Sequence, residues 1–144
     1  MENAVVLLVE ESIGELYTFE KALRHGGFRN PVRIVRHAQE ARCYLEGVGV
    51  YNNREAYPLP SLILINLRLR PEGAARELIT SIRRQAHLRD RPIIALGTVE
   101  TRAQEIQSLY DLGVNAYFAK EVEVAEIVRV LREMKFVEEI WQPD

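Results

Sequence analysis

The sequence lacks the features that mark secreted, membrane-spanning and nucleic-acid-binding proteins. Its single cysteine, Cys43, cannot form an internal disulfide, and no Cys or His cluster surrounds it that would suggest a zinc site. The N-terminal apolar run, Ala4 to Val9, precedes two acidic residues and is too short for a signal peptide or a bilayer span. The chain carries 19 Lys and Arg against 21 Asp and Glu, without the basic excess that nucleic-acid binding usually needs. We therefore expect a cytoplasmic protein that binds neither nucleic acid nor membranes.

The composition itself is that of one globular domain. Of the 144 residues, 47% are hydrophobic and 28% are charged, which is ordinary for a folded protein and argues against a disordered chain. A chain of this length buries roughly 68% of its unfolded surface, enough for a single core. We place the domain at residues 1–137 and treat residues 138–144 as a C-terminal tail.

Five short apolar runs predict the strands of a parallel sheet. The runs are apolar throughout rather than alternating, which suits strands that are covered on both faces. They are Ala4 to Val9, Val32 to Val35, Leu62 to Leu67, Pro92 to Leu96 and Ala116 to Ala119. Each gap between them is long enough for a crossover helix. The sequence therefore predicts an α/β protein with (βα)5 alternation and a doubly wound, five-stranded parallel sheet.

Helical periodicity follows each predicted strand. Ser12 and Glu15 form a capping box at the start of the first helix, whose inward side carries Ile13 and Leu16. The predicted helices run from Ser12 to Gly26, from about Ala38 to Gly47, from about Gly73 to Gln85, from about Thr101 to Leu112 and from Glu123 to Val137. The segment from Gly47 to Ser61 is longer than most connections, and two interpretations stay open: a loop that faces a partner, or a tolerated surface insertion.

Polar residues stand where the predicted strands end. In an open parallel sheet the functional groups gather at the carboxyl ends of the strands, so these residues are expected to lie close together. They are Glu10 and Glu11 after the first strand, Asn66 at the end of the third, Gly97 and Thr98 after the fourth, and Lys120 after the fifth. Two acids, an amide and a lysine are thus expected at one edge of the sheet.

In this pattern the chain resembles the receiver domain of two-component response regulators. The segments that carry the resemblance are VVLLVEES, LILINLRL and GVNAYFAK, and the similarity covers nearly the whole chain. It implies a flavodoxin-like fold with strand order 2-1-3-4-5. The functional positions that it implies are an acidic pair at Glu10 and Glu11, a phosphoacceptor position at Asn66, a hydroxyl position at Gly97 or Thr98, an aromatic switch at Tyr117 and a phosphate-binding Lys120.

Several of these positions depart from the family pattern. The resemblance implies an Asp acceptor, whereas the neutral amide of Asn66 is a negligible nucleophile toward phosphorus. Only two carboxylates, Glu10 and Glu11, then remain for a metal, so we expect no cofactor beyond weak or absent Mg²⁺ binding. Gly97 has no hydroxyl, and the side chain of Thr98 is expected to point elsewhere because side chains alternate along an extended segment. Lys120 is followed by Glu121 where the family usually has proline.

These departures favour a degenerate receiver, or pseudo-receiver, that is not an enzyme and signals by protein contact. Without a phosphate, Lys120 is expected to pair with Glu11, and Tyr117 to adopt one rotamer or to sample both without regulation. An ordinary phosphoaccepting receiver is the alternative, if Asn66 is an engineered substitution or a deamidation site. A flavodoxin-like FMN enzyme is a third, disfavoured hypothesis, because Glu10 and Glu11 would repel the phosphate of the flavin.

The partners are expected to be proteins. The long segment before the third strand and the C-terminal tail are similar to small response regulators of phytochrome signalling, which implies a sensor kinase or a phytochrome-type kinase as partner. We also expect a homodimer through the fourth helix, the fifth strand and the fifth helix. Phe136, Ile140 and Trp141 are expected to support it, because a monomer would struggle to cover them. The alternative is that Trp141 folds back onto its own helix.

Overall fold

The computed structural model describes residues 4–119 and 124–142. Five parallel strands form one sheet in the order β2-β1-β3-β4-β5, which confirms the predicted fold. The strands are β1 Val6–Val9, β2 Val32–Val35, β3 Leu62–Asn66, β4 Ile93–Gly97 and β5 Ala116–Ala119. The helices are α1 Ile13–His25, α2 Ala38–Glu46, α3 Ala74–Arg84, α4 Ala103–Leu112, α5 Val124–Glu133 and the short α6 Lys135–Glu138, with 3-10 turns at Gly49–Asn52 and Ala86–Leu88.

The sheet separates two hydrophobic clusters, one on each face. Successive residues of β1 point to opposite sides, so that Leu7 and Val9 join the cluster under α2, α3 and α4, while Val6 and Leu8 join the cluster under α1 and α5. All residues of β1, β3 and β4 are buried, which explains why these strands are apolar throughout. None of the helices in the described ranges is long and apolar enough to cross a membrane.

The predicted elements are found, with changes at their ends. β2 and β5 have the predicted bounds, while β1 begins two residues later, at Val6. Ser12 caps α1 by accepting a hydrogen bond from the Glu15 backbone N–H at 3.3 Å. The assignment of Ile13 to the inward side of α1 is wrong, because its side chain is 67% exposed. The single predicted last helix is also wrong: the chain leaves α5 at Met134, which has an extended backbone, and then forms α6.

The long segment before β3 is folded onto α2. The rings of Tyr44, Tyr51 and Tyr57 contact one another, with centroids 5.0 to 6.0 Å apart. Arg54 donates to the carbonyl of Tyr44 at 2.7 Å. Burial raises the pKa of Tyr44, and its hydroxyl donates to the Pro58 carbonyl at 2.8 Å. The segment is therefore a packed part of the domain, and its role toward a partner stays a prediction.

The C-terminal segment is attached to its own domain by a buried amide. Asn30 is completely buried, and its side-chain nitrogen donates to the carbonyls of Ala4 and Ile140 at 2.8 and 2.7 Å. Its side-chain oxygen accepts from the Gln142 N–H at 2.6 Å. The described part of the tail, residues 138–142, is thereby fixed next to the start of β1.

This attachment corrects the expectation that a monomer leaves the tail uncovered. Trp141 packs edge-on against Phe28, with ring centroids 4.8 Å apart. Phe136, Ile140 and Trp141 are all half-buried against the cluster under α1 and α5. Their apolar surface is covered because the chain after Met134 turns back across the end of α1. Whether these residues also support a dimer remains a prediction.

Candidate functional site

The ends of β1 and β3 meet at a buried pair of polar side chains. Glu10 and Asn66 are each 4% exposed, and the Asn66 amide nitrogen donates a hydrogen bond to Oε2 of Glu10. The amide oxygen of Asn66 accepts from the Arg68 N–H at 3.0 Å. Both ends of the amide are therefore occupied within the protein. The parallel register, which pairs Val9 with Ile65, brings the two side chains together.

The neighbouring acid, Glu11, serves different partners. Its Oε1 accepts from the Arg70 N–H at 2.7 Å, and its Oε2 lies 3.6 Å from Nε of Arg70. The ring nitrogen Nδ1 of His37 lies 3.9 Å from the same carboxylate. Because consecutive side chains point in different directions as the strand ends, Glu10 turns inward and Glu11 turns to the connection after β3. The two acids are thus adjacent in sequence but do not share a site.

These residues do not fit a divalent-cation site. Mg²⁺ prefers several oxygen ligands, with carboxylates among them. Here Oε2 of Glu10 faces the donor nitrogen of Asn66, and both oxygens of Glu11 face Arg70. Within residues 4–119 and 124–142, no group of three or more His, Cys, Asp or Glu is placed to hold a metal ion. The Asn66 amide directs its nitrogen to Glu10, and its oxygen accepts from the Arg68 N–H.

The end of β4 is shaped around an aromatic ring. A Cβ atom added to Gly97 would lie 2.5 Å from Oη of Tyr117 and 2.7 Å from its Cε2. The Tyr117 hydroxyl donates to the Thr98 carbonyl at 2.7 Å, and its ring packs against the cluster under α4. The ring therefore occupies the space that any side chain at position 97 would need.

The hydroxyl of Thr98 is used inside its own turn. Its Oγ1 accepts from the Glu100 N–H at 3.3 Å, while its backbone N–H donates to Oγ1 of Thr101 at 3.3 Å. These bonds close the connection between β4 and α4 on itself. The Thr98 hydroxyl is thus bonded to the Glu100 N–H within this connection.

The structure brings together most, but not all, of the residues that the sequence singles out. Glu10, Asn66 and the ends of β1 and β3 form the center described above, and Gly97 and Tyr117 form a second contact at the end of β4. Lys120 and Glu121 lie outside the described residues, so the expected pairing of Lys120 with Glu11 stays a prediction. The contact of Arg70 with Glu11 is not predicted by the sequence, because nothing in it indicates that the chain after β3 returns to Glu11.

Asn66→Asp should destabilise the domain in the absence of divalent cations. The substitution removes the donor to Glu10 and places two carboxylates against each other in a buried position, so we expect the free energy of unfolding to fall by about 1–3 kcal/mol at neutral pH. The loss should shrink at lower pH, where the two carboxyl groups can share a proton, and on addition of Mg²⁺, which binds the folded state. Urea unfolding with EDTA, and then with Mg²⁺, measures both effects.

Asn115→Asp is the matched control for this variant. It adds the same charge, but the side-chain oxygen of Asn115 accepts from Arg83 at 3.0 Å, so the new carboxylate faces a cation. Its stability should stay close to that of the wild type. An Asn66→Asp protein as stable as the wild type in EDTA would contradict the arrangement of Glu10 and Asn66 described above.

Gly97→Ala should displace the Tyr117 ring. The added methyl group cannot fit beside the ring, and we expect a loss of about 1–3 kcal/mol in the free energy of unfolding, as for other overpacked sites. In a Tyr117→Ala background the same substitution should cost much less, and a double-mutant cycle measures this coupling. Gly14→Ala is the control, because the new Cβ would meet only Ser12 Oγ, at 3.9 Å. Equal costs for Gly97→Ala in both backgrounds would show that the ring does not occupy this space.

The chain is similar to known response regulators in sequence and in fold. No protein-family model matches the sequence. The chain is 29% identical over 128 residues to the response regulator Rcp1 of Synechocystis sp., and the match covers 89% of this chain and 84% of Rcp1. The solved structure of the bacteriophytochrome response regulator RtBRR is 30% identical, with a TM-score of 0.78, and the match covers 92% of this chain and 78% of that one.

A third relative is similar over almost its whole length. The structure of the phosphorylated cyanobacterial phytochrome response regulator RcpA is 28% identical, with a TM-score of 0.78, and the match covers 96% of this chain and 94% of that one. All three of these proteins are response regulators, and each match covers most of both chains. The chain belongs to the response regulator receiver-domain family.

Proposed function

We propose that this chain is a cytoplasmic response regulator of phytochrome-type signalling, that it is not an enzyme, and that it acts by protein contact without accepting a phosphoryl group. The phytochrome assignment is supported by RcpA and RtBRR, which are phytochrome response regulators by name. Its partner is a kinase of the phytochrome or another sensor type. Because the chain belongs to the response regulator receiver-domain family, a flavin-binding enzyme is not proposed.

The hydrogen bond between Asn66 and Glu10 is the observation that supports the absence of phosphoryl transfer. Transfer of a phosphoryl group to a side chain requires a nucleophilic oxygen and stabilisation of the charge that develops on phosphorus. The amide of Asn66 offers no carboxylate oxygen, and its own oxygen already accepts from Arg68. A metal that could neutralise the charge has no suitable ligand set at Glu10 and Glu11.

The packing of Tyr117 supports a fixed conformation of the region that follows the site. The ring fills the space above Gly97 and binds the Thr98 carbonyl, so the connection from β4 to α4 is fixed by contacts that involve no phosphate. In this proposal the surface formed by α4, β5 and α5, through which two copies associate, is held in one state. Of the two alternatives for Tyr117, this supports the single rotamer.

An ordinary phosphoaccepting receiver is the second candidate function. The observation that favours it is the similarity to RcpA, whose structure is that of a phosphorylated protein. It requires an Asp at position 66 of the natural protein, or another acceptor near Glu10. Sequencing codon 66 of the encoding gene separates the first of these possibilities from the proposal.

Incubation with acetyl phosphate and Mg²⁺ should leave the wild-type protein unmodified. The expected result is no gain of about 80 Da, the mass of one phosphoryl group, in the intact mass spectrum. Asn66→Asp is the matched variant, because it restores a carboxylate at the acceptor position and should gain that mass. A phosphoryl group on wild-type Glu10, Glu11 or Asn66, mapped by fragmentation, would overturn the proposal in favour of the second candidate.

A homodimer through α4, β5 and α5 is part of the proposed mode of action. Tyr110 is 42% exposed and lies two residues from Ser108, which faces α3 by binding Arg76 at 2.9 Å. Residues two apart on a helix point in nearly opposite directions, so Tyr110 lies on the side of α4 away from α3. That side is the one nearer to β5, which is the last strand of the sheet.

Tyr110→Glu should dissociate this dimer. Light scattering of the wild type at tens of micromolar should give twice the mass of the chain, and the variant should give the monomer mass, because a charge in an apolar contact is costly to bury. Val50→Glu is the control, since Val50 is exposed in the segment after α2. A monomeric wild type, or a Tyr110→Glu protein that stays dimeric, would exclude this interface.

A further inference from the structure

A groove of about 520 Å³ lies between α1 and α5, away from the carboxyl ends of the strands. Its floor consists of small residues, Ala22, Gly26 and Ala125, and its ends are formed by the rings of Tyr17 and Trp141. We call it the α1–α5 groove. Small residues in a floor let an occupant approach the two helix backbones closely, so the groove can take a large side chain.

The walls of the α1–α5 groove are fixed by close packing. A Cβ added to Gly26 would lie 2.6 Å from Cγ1 of Val128, which means that the end of α1 already touches α5 as closely as a glycine permits. Trp141 is positioned by its edge-on contact with Phe28 and by the attachment of the tail to Asn30. An occupant would therefore find this shape already formed.

Most of the titratable residues that line the groove are basic. Apart from Tyr17, the titratable residues that line it are Lys21, His25, Arg129 and Arg132, and no Asp or Glu among the described residues lines it. Nζ of Lys21 lies 6.0 Å from the centroid of the Tyr17 ring, and the guanidinium carbon of Arg132 lies 5.0 Å from that of Trp141. Each end of the groove thus combines an aromatic ring with a cation.

Two of these cations are available to a ligand. Arg129 is committed to Glu126, with hydrogen bonds of 2.7 and 2.9 Å that raise the pKa of the guanidinium. Among the residues that the structure describes, neither Lys21 nor Arg132 has a carboxylate within 4.0 Å. An unpaired cation at each end of an apolar floor is complementary to a ligand that is apolar in the middle and anionic at its flanks.

We propose that the α1–α5 groove binds an acidic, amphipathic segment of a partner protein. An apolar side chain of that segment enters between Ala22 and Trp141, and flanking carboxylates bind Lys21 and Arg132. A purely apolar peptide would leave both cations unused, and a simple anion would leave the apolar floor exposed to water. The inference deepens the proposed contact-based function and rests on it, because it identifies the chemistry of the segment that is recognised.

The test uses a synthetic probe and the only tryptophan of the chain. The probe is a fluorescein-labelled peptide with two leucines at i and i+4 flanked by glutamates, and the control peptide has lysine in place of each glutamate. Trp141 lines the groove and is the single tryptophan, so its emission reports on occupation directly. The acidic peptide should change this emission saturably and should bind more weakly as salt is added, whereas the lysine peptide should not bind.

Charge reversal in the groove should abolish the preference for the acidic peptide over the lysine peptide. Lys21→Glu and Arg132→Glu should each weaken binding of the acidic peptide by about tenfold or more, as measured by fluorescence anisotropy of the label. Arg132→Gln provides a milder variant if Arg132→Glu unfolds, which circular dichroism will show. Arg42→Glu is the control with unchanged affinity, because Arg42 lies beside Glu77 between α2 and α3, on the other face of the sheet.

Three outcomes would overturn the assignment. They are equal binding of the acidic and lysine peptides, unchanged affinity of Lys21→Glu and Arg132→Gln, and a change in Trp141 emission with anionic phosphatidylserine vesicles but not with the acidic peptide. The last would indicate a membrane surface instead of a protein segment. Absence of peptide binding together with an unmodified protein after acetyl phosphate treatment removes only the groove assignment. A phosphorylated wild-type protein removes the proposed function and leaves the peptide result valid.

Discussion

The three central strands, β1, β3 and β4, are covered on both faces, and this burial constrains everything built around them. Apolar residues fill both faces of these strands. Polar groups are therefore found only where the strands end or where all of their hydrogen bonds can be formed. Among the described residues the buried polar or charged ones are Glu10, Asn30 and Asn66. Two stand at the carboxyl ends of β1 and β3, and the third ties the tail to the start of β1. The candidate site is thus located where the sheet can tolerate polarity.

The same constraint explains why an amide at position 66 changes the character of the site. A buried carboxylate needs donors or a cation, because an uncompensated charge in the interior is strongly unfavourable. Asn66 supplies a hydrogen-bond donor to Glu10 from within the protein. Glu11 is satisfied separately by Arg70. Glu10 thus accepts a hydrogen bond from a neutral amide, whereas Glu11 faces the cationic side chain of Arg70.

How far the sequence alone reaches depends on the range of the interactions. Apolar runs and crossover spacing predict the sheet and its strands, because a strand that is buried on both faces, such as β3, has apolar residues at consecutive positions. The juxtaposition of Glu10 and Asn66 also follows, since parallel strands end at one edge. The fit of Tyr117 over Gly97 and the contact of Arg70 with Glu11 do not follow, because each depends on how distant residues meet. The end of α5 was missed for a similar reason: the apolar periodicity continues past Met134, while the backbone turns back toward Phe28.

The attachment of the tail through Asn30 has a consequence for how the chain reaches its final structure. Asn30 joins Ala4 to Ile140, and the bond to Ile140 spans 110 positions in the sequence. During synthesis the N-terminal strands emerge first, so β1 and Asn30 are present long before the residues that satisfy this amide. Closing so long a loop is entropically costly and slow compared with local pairing. The side of the domain under α1 and α5 therefore completes its folding only after Ile140 and Gln142 have been synthesised, and until then the Asn30 amide lacks these two partners.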